Sequence, residues 1–148
     1  MPNWCFNDLR VSGPAADLKR SQNQAREVAA PQRTEHEPVP EVFSFQSLLP
    51  IPPELIGANS QGAARDWCLL HWGCRSRAVR TVQASTTRDA GVIYQFETPW
   101  SPPVPFLRKL SVLWPSLVFA LNYEEPLAGF RGSARAAAGV MKHFCIDL

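Results

Sequence analysis

The sequence predicts an α+β fold, a ferredoxin-like split βαβ sandwich with an insertion between the first helix and the second strand and a C-terminal strand pair. Three observations lead there. Segments alternating with period two begin at Trp4 and Leu117, and a segment rich in β-branched and aromatic residues begins at Val92. Helix-forming segments separate them, in the order strand, helix, insertion, strand, strand, helix, strand. The prolines, 14 of 148 residues against a usual share of about 5%, gather at Pro38–Pro53 and Pro99–Pro105, where they punctuate loops rather than form a tail.

From Trp4 to Val11, Cys5, Asn7, Leu9 and Val11 share one strand face, and Phe6, Asp8 and Arg10 share the other. Gly13 and Pro14 end the strand. Ala15–Ala30 lacks Gly and Pro and is rich in Ala, Gln, Arg and Lys, so it predicts a helix with a narrow apolar face (Leu18, Ala25, Val28, Ala29), stopped by Pro31. The polar stretch Gln32–Glu41 follows, and "VFSFQSLLPIPPEL" reads as a short extended piece and then a proline-interrupted loop packed on the body.

A short helix is predicted from Asp66 to Trp72, closed by Gly73. Arg77–Ala84 reads as a weakly alternating strand, "STTRDAG" as a turn, and "VIYQFET" as a strand rich in β-branched and aromatic residues. In "FETPWSPPVPF", Ser101 and Pro102 match an N-cap followed by proline at the first helical position, and Trp100 is expected to lid the core at that corner. Phe106, Leu107, Leu110, Leu113 and Trp114 then form an apolar helical stripe ended by Pro115. Leu117, Phe119, Leu121 and Tyr123 share one face of the next strand, and a last strand pair turns at Ala138–Gly139. The expectation is one domain over residues 1–148, with the insertion at about 31–74.

Composition narrows the function classes. Hydrophobic residues make up 45% of the chain and charged residues 19%, which is a globular balance, and a formal charge of +2 is too small for the footprint of a strongly basic nucleic-acid binder. No apolar run approaches the roughly 18 residues of a membrane span, and "MPNWCFNDLR" lacks the pattern of a signal peptide. A cytoplasmic protein is therefore expected, with Cys5, Cys68, Cys74 and Cys145 as reduced thiols.

Several fragments, "NWCFNDLRVSG", "FSFQSLLPIPPEL", "HWG", "FETPWSPPVP" and "LVFALNYEEP" with "GFRG", resemble the YubB-like proteins of bacterial plasmids, phages and integrated elements, over nearly the whole chain. That resemblance implies a ferredoxin-like C-terminal region, a function not yet assigned, and the context of an accessory gene of mobile DNA. Family members usually follow Trp-Gly with a Thr-Lys-Trp type of sequence, whereas Trp72–Gly73 is followed here by Cys74, Arg75 and Ser76.

Chemistry is sparse. Cys68-x-x-His71-x-x-Cys74, with His143 and Cys145 further on, holds zinc-compatible residue types, but Gly73 breaks the helical run before Cys74 and there is no Cys-x-x-Cys knuckle. Cys68 and Trp72 are better read as core and His71 as a hydrogen-bonded structural histidine. Glu124–Glu125 are neighbours in a strand and point to opposite faces, and there is no P-loop, G-x-G-x-x-G or G-x-S-x-G, so neither catalysis nor a cofactor is expected. Against the RNA-recognition signature, "RDAGVIYQFE" matches only at Arg88, Gly91 and Ile93 and places no aromatic for base stacking.

Two partner classes remain. Arg65, Arg75, Arg77, Arg80 and Arg88 form a candidate patch for phosphates or for a protein. Mobile-DNA context points to a host defence complex as the partner and to counter-defence, anti-CRISPR or anti-restriction inhibition, as the role. Trp4, Trp67, Trp72 and Trp100 are aromatic hooks if exposed and core residues otherwise.

Overall fold

The structure, a computed structural model, describes residues 2–26, 41–57, 61–87 and 91–148. Six strands lie at or near the expected positions: β1 (Trp4–Ser12), β2 (Val79–Thr87), β3 (Gly91–Pro99), β4 (Val118–Glu125), β5 (Phe130–Ala137) and β6 (Val140–Asp147). Ser85–Thr87 and Gly91 of the predicted turn belong instead to β2 and β3, and residues 88–90 lie outside the described residues. The strands form one sheet in the order β2-β3-β1-β4-β5-β6, antiparallel throughout. With helices α1 (Ala15–Ala25) and α4 (Val104–Leu113), the first four strands have the ferredoxin-like order, and β5 and β6 widen the sheet beyond β4. Two short elements, α2 (Phe45–Leu48) and a 3₁₀ turn (Pro53–Leu55), and the helix α3 (Gln61–His71) lie between α1 and β2, where the insertion was predicted.

Local expectations fail where distant segments supply the deciding contacts. The first helix ends at Ala25 rather than Ala30: Arg26 turns extended (φ −74°, ψ 128°), and the Ala25 carbonyl accepts a 2.7 Å hydrogen bond from the Ser44 N–H. Residues 27–30 of that reading, Pro31, and all of the polar stretch after it but Glu41 lie outside the described residues. Phe45–Leu48 is helical rather than extended, because the Ser44 hydroxyl caps it, accepting from the Ser47 N–H at 3.2 Å, and one turn buries both Phe45 and Leu48. The helix predicted from Asp66 begins earlier, at Gln61, and closes at Gly73 (φ 88°), whose N–H donates to the Cys68 carbonyl at 3.0 Å.

The proline corner is also rearranged. Helix α4 starts at Val104, and Ser101 caps nothing; its hydroxyl donates to the Gly73 carbonyl at 2.6 Å, tying the corner to the end of α3. A Cβ on Gly73 would stand 2.5 Å from Pro105 Cδ, so glycine permits both the left-handed turn and this approach. Trp100 does not lid the core. It is 45% exposed at a left-handed φ of 70°, and its backbone N–H donates to the Asn3 carbonyl.

The core sits between one face of the sheet and the helices. Val92, Tyr94 and Phe96 of β3, Leu9 and Val11 of β1, and Phe119 and Leu121 of β4 face Phe106, Leu107 and Leu110 of α4. The insertion drives two aromatics into this layer. Phe43 stacks on Tyr94 and Phe96 at ring distances of 4.6 and 5.4 Å, and Phe45 stacks on Phe106 at 4.2 Å with Trp72 edge-on at 5.5 Å. Trp72 is buried, as the core reading expects, and its indole N–H donates to the Leu49 carbonyl at 3.0 Å.

Phe45 is fully buried, so Phe45→Ala is expected to destabilise the chain by about 3–5 kcal/mol in urea unfolding. Phe6→Ala, at a half-exposed position on the opposite sheet face, is expected to change stability by less than about 0.5 kcal/mol.

Candidate functional site

Every strand residue that feeds the core has neighbours pointing the other way, and these form the candidate site. Strand register aligns them into rows. One row reads Val82, Gln95, Asp8, Asn122, Ser133, Phe144 from edge to edge of the sheet. The next reads Glu97, Phe6, Glu124, Arg131, Ile146, with Arg80 closing the β2 end. Together they line a trough of about 790 Å³.

Its chemistry is mixed. Phe6 is 50% exposed and Phe144 69%, and Val82 and Ile146 are exposed as well, a density of apolar side chains unusual for a solvated sheet face. Polar groups between them are partly pre-organised: Gln95 Nε2 donates to Asp8 Oδ2 at 3.3 Å, and the Ser133 hydroxyl donates to Asn122 Oδ1 at 2.6 Å. Three carboxylates (Asp8, Glu97, Glu124) face two guanidinium groups (Arg80, Arg131) in the trough, so its formal charge is slightly negative. A basic row, Arg10, Arg135 and Lys142, lies two residues along the strands from Asp8, Ser133 and Phe144, on the same face.

The five arginines singled out from the sequence do not form one free patch. Arg80, at a left-handed φ of 51°, pairs with Glu97 and lies over the Trp4 ring at 4.6 Å. Arg77 meets Glu41 at 4.0 Å, while Arg65 on α3 and Arg75 after it are exposed. Arg88 lies outside the described residues. Of the four that lie among the described residues, Arg80 is the one that reaches the trough. Phe6, Asp8 and Arg10 were legible as a common strand face; their alignment with Gln95, Asn122 and Phe144 needs the strand order.

The cysteine–histidine set is dispersed. Cys68 and Cys74 are buried, Cys74 donating to the Ser76 carbonyl at 3.4 Å. His71 stacks on Trp67 at 4.5 Å and contacts the Lys109 ammonium; partial burial, then that cation, lowers its pKa below the ordinary imidazole value. His143 hydrogen-bonds the Tyr123 hydroxyl at 2.7 Å. Among the described residues, no three His, Cys, Asp or Glu side chains gather as a metal site. Glu125, fully buried, has both oxygens occupied by the N–H groups of Leu127 and Ala128 at 3.0 and 2.6 Å, which makes it the anchor of the β4–β5 turn.

Burial pushes the Cys5 thiol up to about 12 and raises that of Cys74 well above the thiol range. Because the unfolded chain ionises these thiols near the ordinary 9.0, unfolding releases protons above that pH. Their contribution to stability is whole below about pH 9 and falls as pH rises toward 12; the urea midpoint under reducing conditions is expected to drop over that range, less steeply in Cys5→Ala. Of the four cysteines only Cys145 is exposed, so a thiol reagent is expected to titrate one thiol in the native protein and four in denaturant.

The comparisons agree with this architecture. A family model described as "Ferredoxin-like domain in Api92-like protein" matches residues 81–147, from β2 through β6. A solved structure described as protein Api92 from Yersinia pseudotuberculosis is similar with a TM-score of 0.65 over 97% of this chain and 98% of that one, at 10% sequence identity. At that identity the likeness is one of fold. No curated protein matches the chain. Among the described residues no helix is long and apolar enough to cross a membrane.

Proposed function

We propose that this chain acts without catalysis, by binding another protein across the trough on the open face of its sheet. The observation that supports this reading most is the pair of aligned rows, in which exposed Val82 and Phe144 flank Gln95, Asp8, Asn122 and Ser133, and exposed Phe6 and Ile146 flank Glu124 and Arg131. Apolar anchors surrounded by oriented polar groups suit a protein surface, where a few buried aromatics carry most of the binding energy. Phosphate binding requires uncompensated Lys and Arg, and the three carboxylates of the trough oppose it.

The resemblance to YubB-like proteins of mobile DNA supplies the partner class. We take it to be a component of a host defence complex in the cytoplasm, with the chain inhibiting it as a counter-defence (anti-CRISPR or anti-restriction) protein. The runner-up, nucleic-acid binding, draws on the basic row of Arg10, Arg135 and Lys142 and on exposed Arg65 and Arg75.

Affinity capture from a bacterial lysate with the wild type and two variants separates these readings. A specific protein partner is expected to be retained by Arg75→Glu and weakened about tenfold or more by Phe6→Asp, which alters a half-exposed anchor. A salt-sensitive shift of generic DNA or RNA, lost in Arg10→Glu/Arg135→Glu and accompanied by no protein partner, would transfer the assignment to nucleic acid.

A further inference from the structure

The two edges of the sheet are built differently. On β2 the pairing with β3 shifts register twice, between Val79 and Val82 and between Ala84 and Thr87, and Arg80 sits at a left-handed φ. Such breaks blunt an edge against further pairing. β6 has none: all eight of its residues pair with β5 in unbroken register, it contains no proline, and it exposes Val140, Phe144 and Ile146, with Leu148 exposed just beyond. We propose that β6 pairs with β6 of a second copy of this chain, antiparallel about a two-fold axis at Phe144, joining two sheets into one. The proposal rests on the backbone of β6 and not on the identity of the trough's occupant, although Phe144 and Ile146 line the trough as well.

Hydrogen-bond parity selects this register. The β5–β6 hairpin turns on two residues, Ala138 and Gly139, with φ of 48° and 81°, the type I′ pattern that closes on a hydrogen-bonded pair, here Ala137 with Val140. At the far end the Leu148 N–H donates to the Gly129 carbonyl at 2.6 Å. Even-numbered residues of β6 therefore bond to β5, and the backbone groups of Met141, His143, Cys145 and Asp147 point out of the sheet edge. Symmetric pairing about Phe144 sets Met141 opposite Asp147 of the second copy and His143 opposite Cys145, which satisfies all four residues. An axis at His143 leaves Asp147 over, and one at Cys145 leaves Met141 over. Axes between residues would oppose outward-pointing groups with ones already bonded to β5.

The side chains agree with the same register. Phe144 meets its own copy at the axis, in a non-hydrogen-bonded pair where side chains lie closest. Val140 meets Leu148 and Lys142 meets Ile146, so the exposed apolar residues of this strand gain cross-strand neighbours and no like charges are opposed.

Light scattering on the purified full chain is expected to give about 33 kDa, twice the 16.5 kDa of one chain, falling to a single chain in Phe144→Lys and in His143→Pro. The first sets like charges face to face at a position 69% exposed, and the second removes an outward N–H while leaving the bonds to β5. Should His143→Pro fail to fold by circular dichroism, Phe144→Lys decides. In a Cys145→Ser background, Phe144→Cys is expected to cross-link two chains when oxidised glutathione accepts the electrons of the two thiols. A wild type that stays at 16.5 kDa at every concentration, or a dimer unchanged by Phe144→Lys, would overturn the proposal, as would absence of that cross-link from a dimer.

Discussion

The wedge of Phe43 and Phe45 between sheet and helix is the contact on which the rest of this structure depends. Helix α1 is short and mostly polar, and α4 alone offers a wide apolar face, so two helices leave part of the sheet's inner face without cover. The insertion closes that gap by sending Phe43 onto Tyr94 and Phe96, and Phe45 onto Phe106. Ser44 between them holds both ends of the wedge, its N–H on the last turn of α1 and its hydroxyl on α2. Trp72 then packs on Phe45, and the Gly73–Ser101 hydrogen bond locks α3 to the proline corner that starts α4. An element that reads as an elaborated loop is thus a structural part of the core.

Concentrating helices, wedge and aromatics on one side has a consequence for the other. Six strands present a second face of comparable width, which no described helix covers, and its alternate residues include aromatic and aliphatic side chains as well as charges. Burying such groups against another surface recovers hydrophobic free energy that solvation of a polar sheet face would not offer. The added β5–β6 hairpin extends this face and ends it in a regular edge, so one piece of chain supplies both a wall of the trough and an edge strand of unbroken register. The cysteines tell a complementary story: Cys5, Cys68 and Cys74 behave as small core residues and Cys145 alone meets solvent.

Much of the fold was legible in the residues. Period-two alternation located β1 and β4 with their shared faces, β-branched and aromatic content located β3, Gly73 closed its helix, and Ala138–Gly139 marked the last turn. Ends and caps were less legible because they compete with remote partners. Ala25 ends α1 by accepting from Ser44, and Ser101 serves Gly73 instead of a helix N-terminus. The partners of two of the arginines were illegible for the same reason: proximity in sequence from 75 to 80 says nothing of Glu41 and Glu97, which reach Arg77 and Arg80 from other segments.

By itself the sequence determined which residues share a face on β1 and β4, where the last hairpin turns, and that the order of elements is that of a split βαβ sandwich. These follow from local sterics and the partition of apolar side chains, which act over a few residues. Only the tertiary structure decided that Phe6, Asp8, Gln95, Asn122 and Phe144 share one trough and that β6, not β2, is the edge strand of unbroken register. Strand order and register are set by contacts between residues tens of positions apart, and no local pattern encodes them.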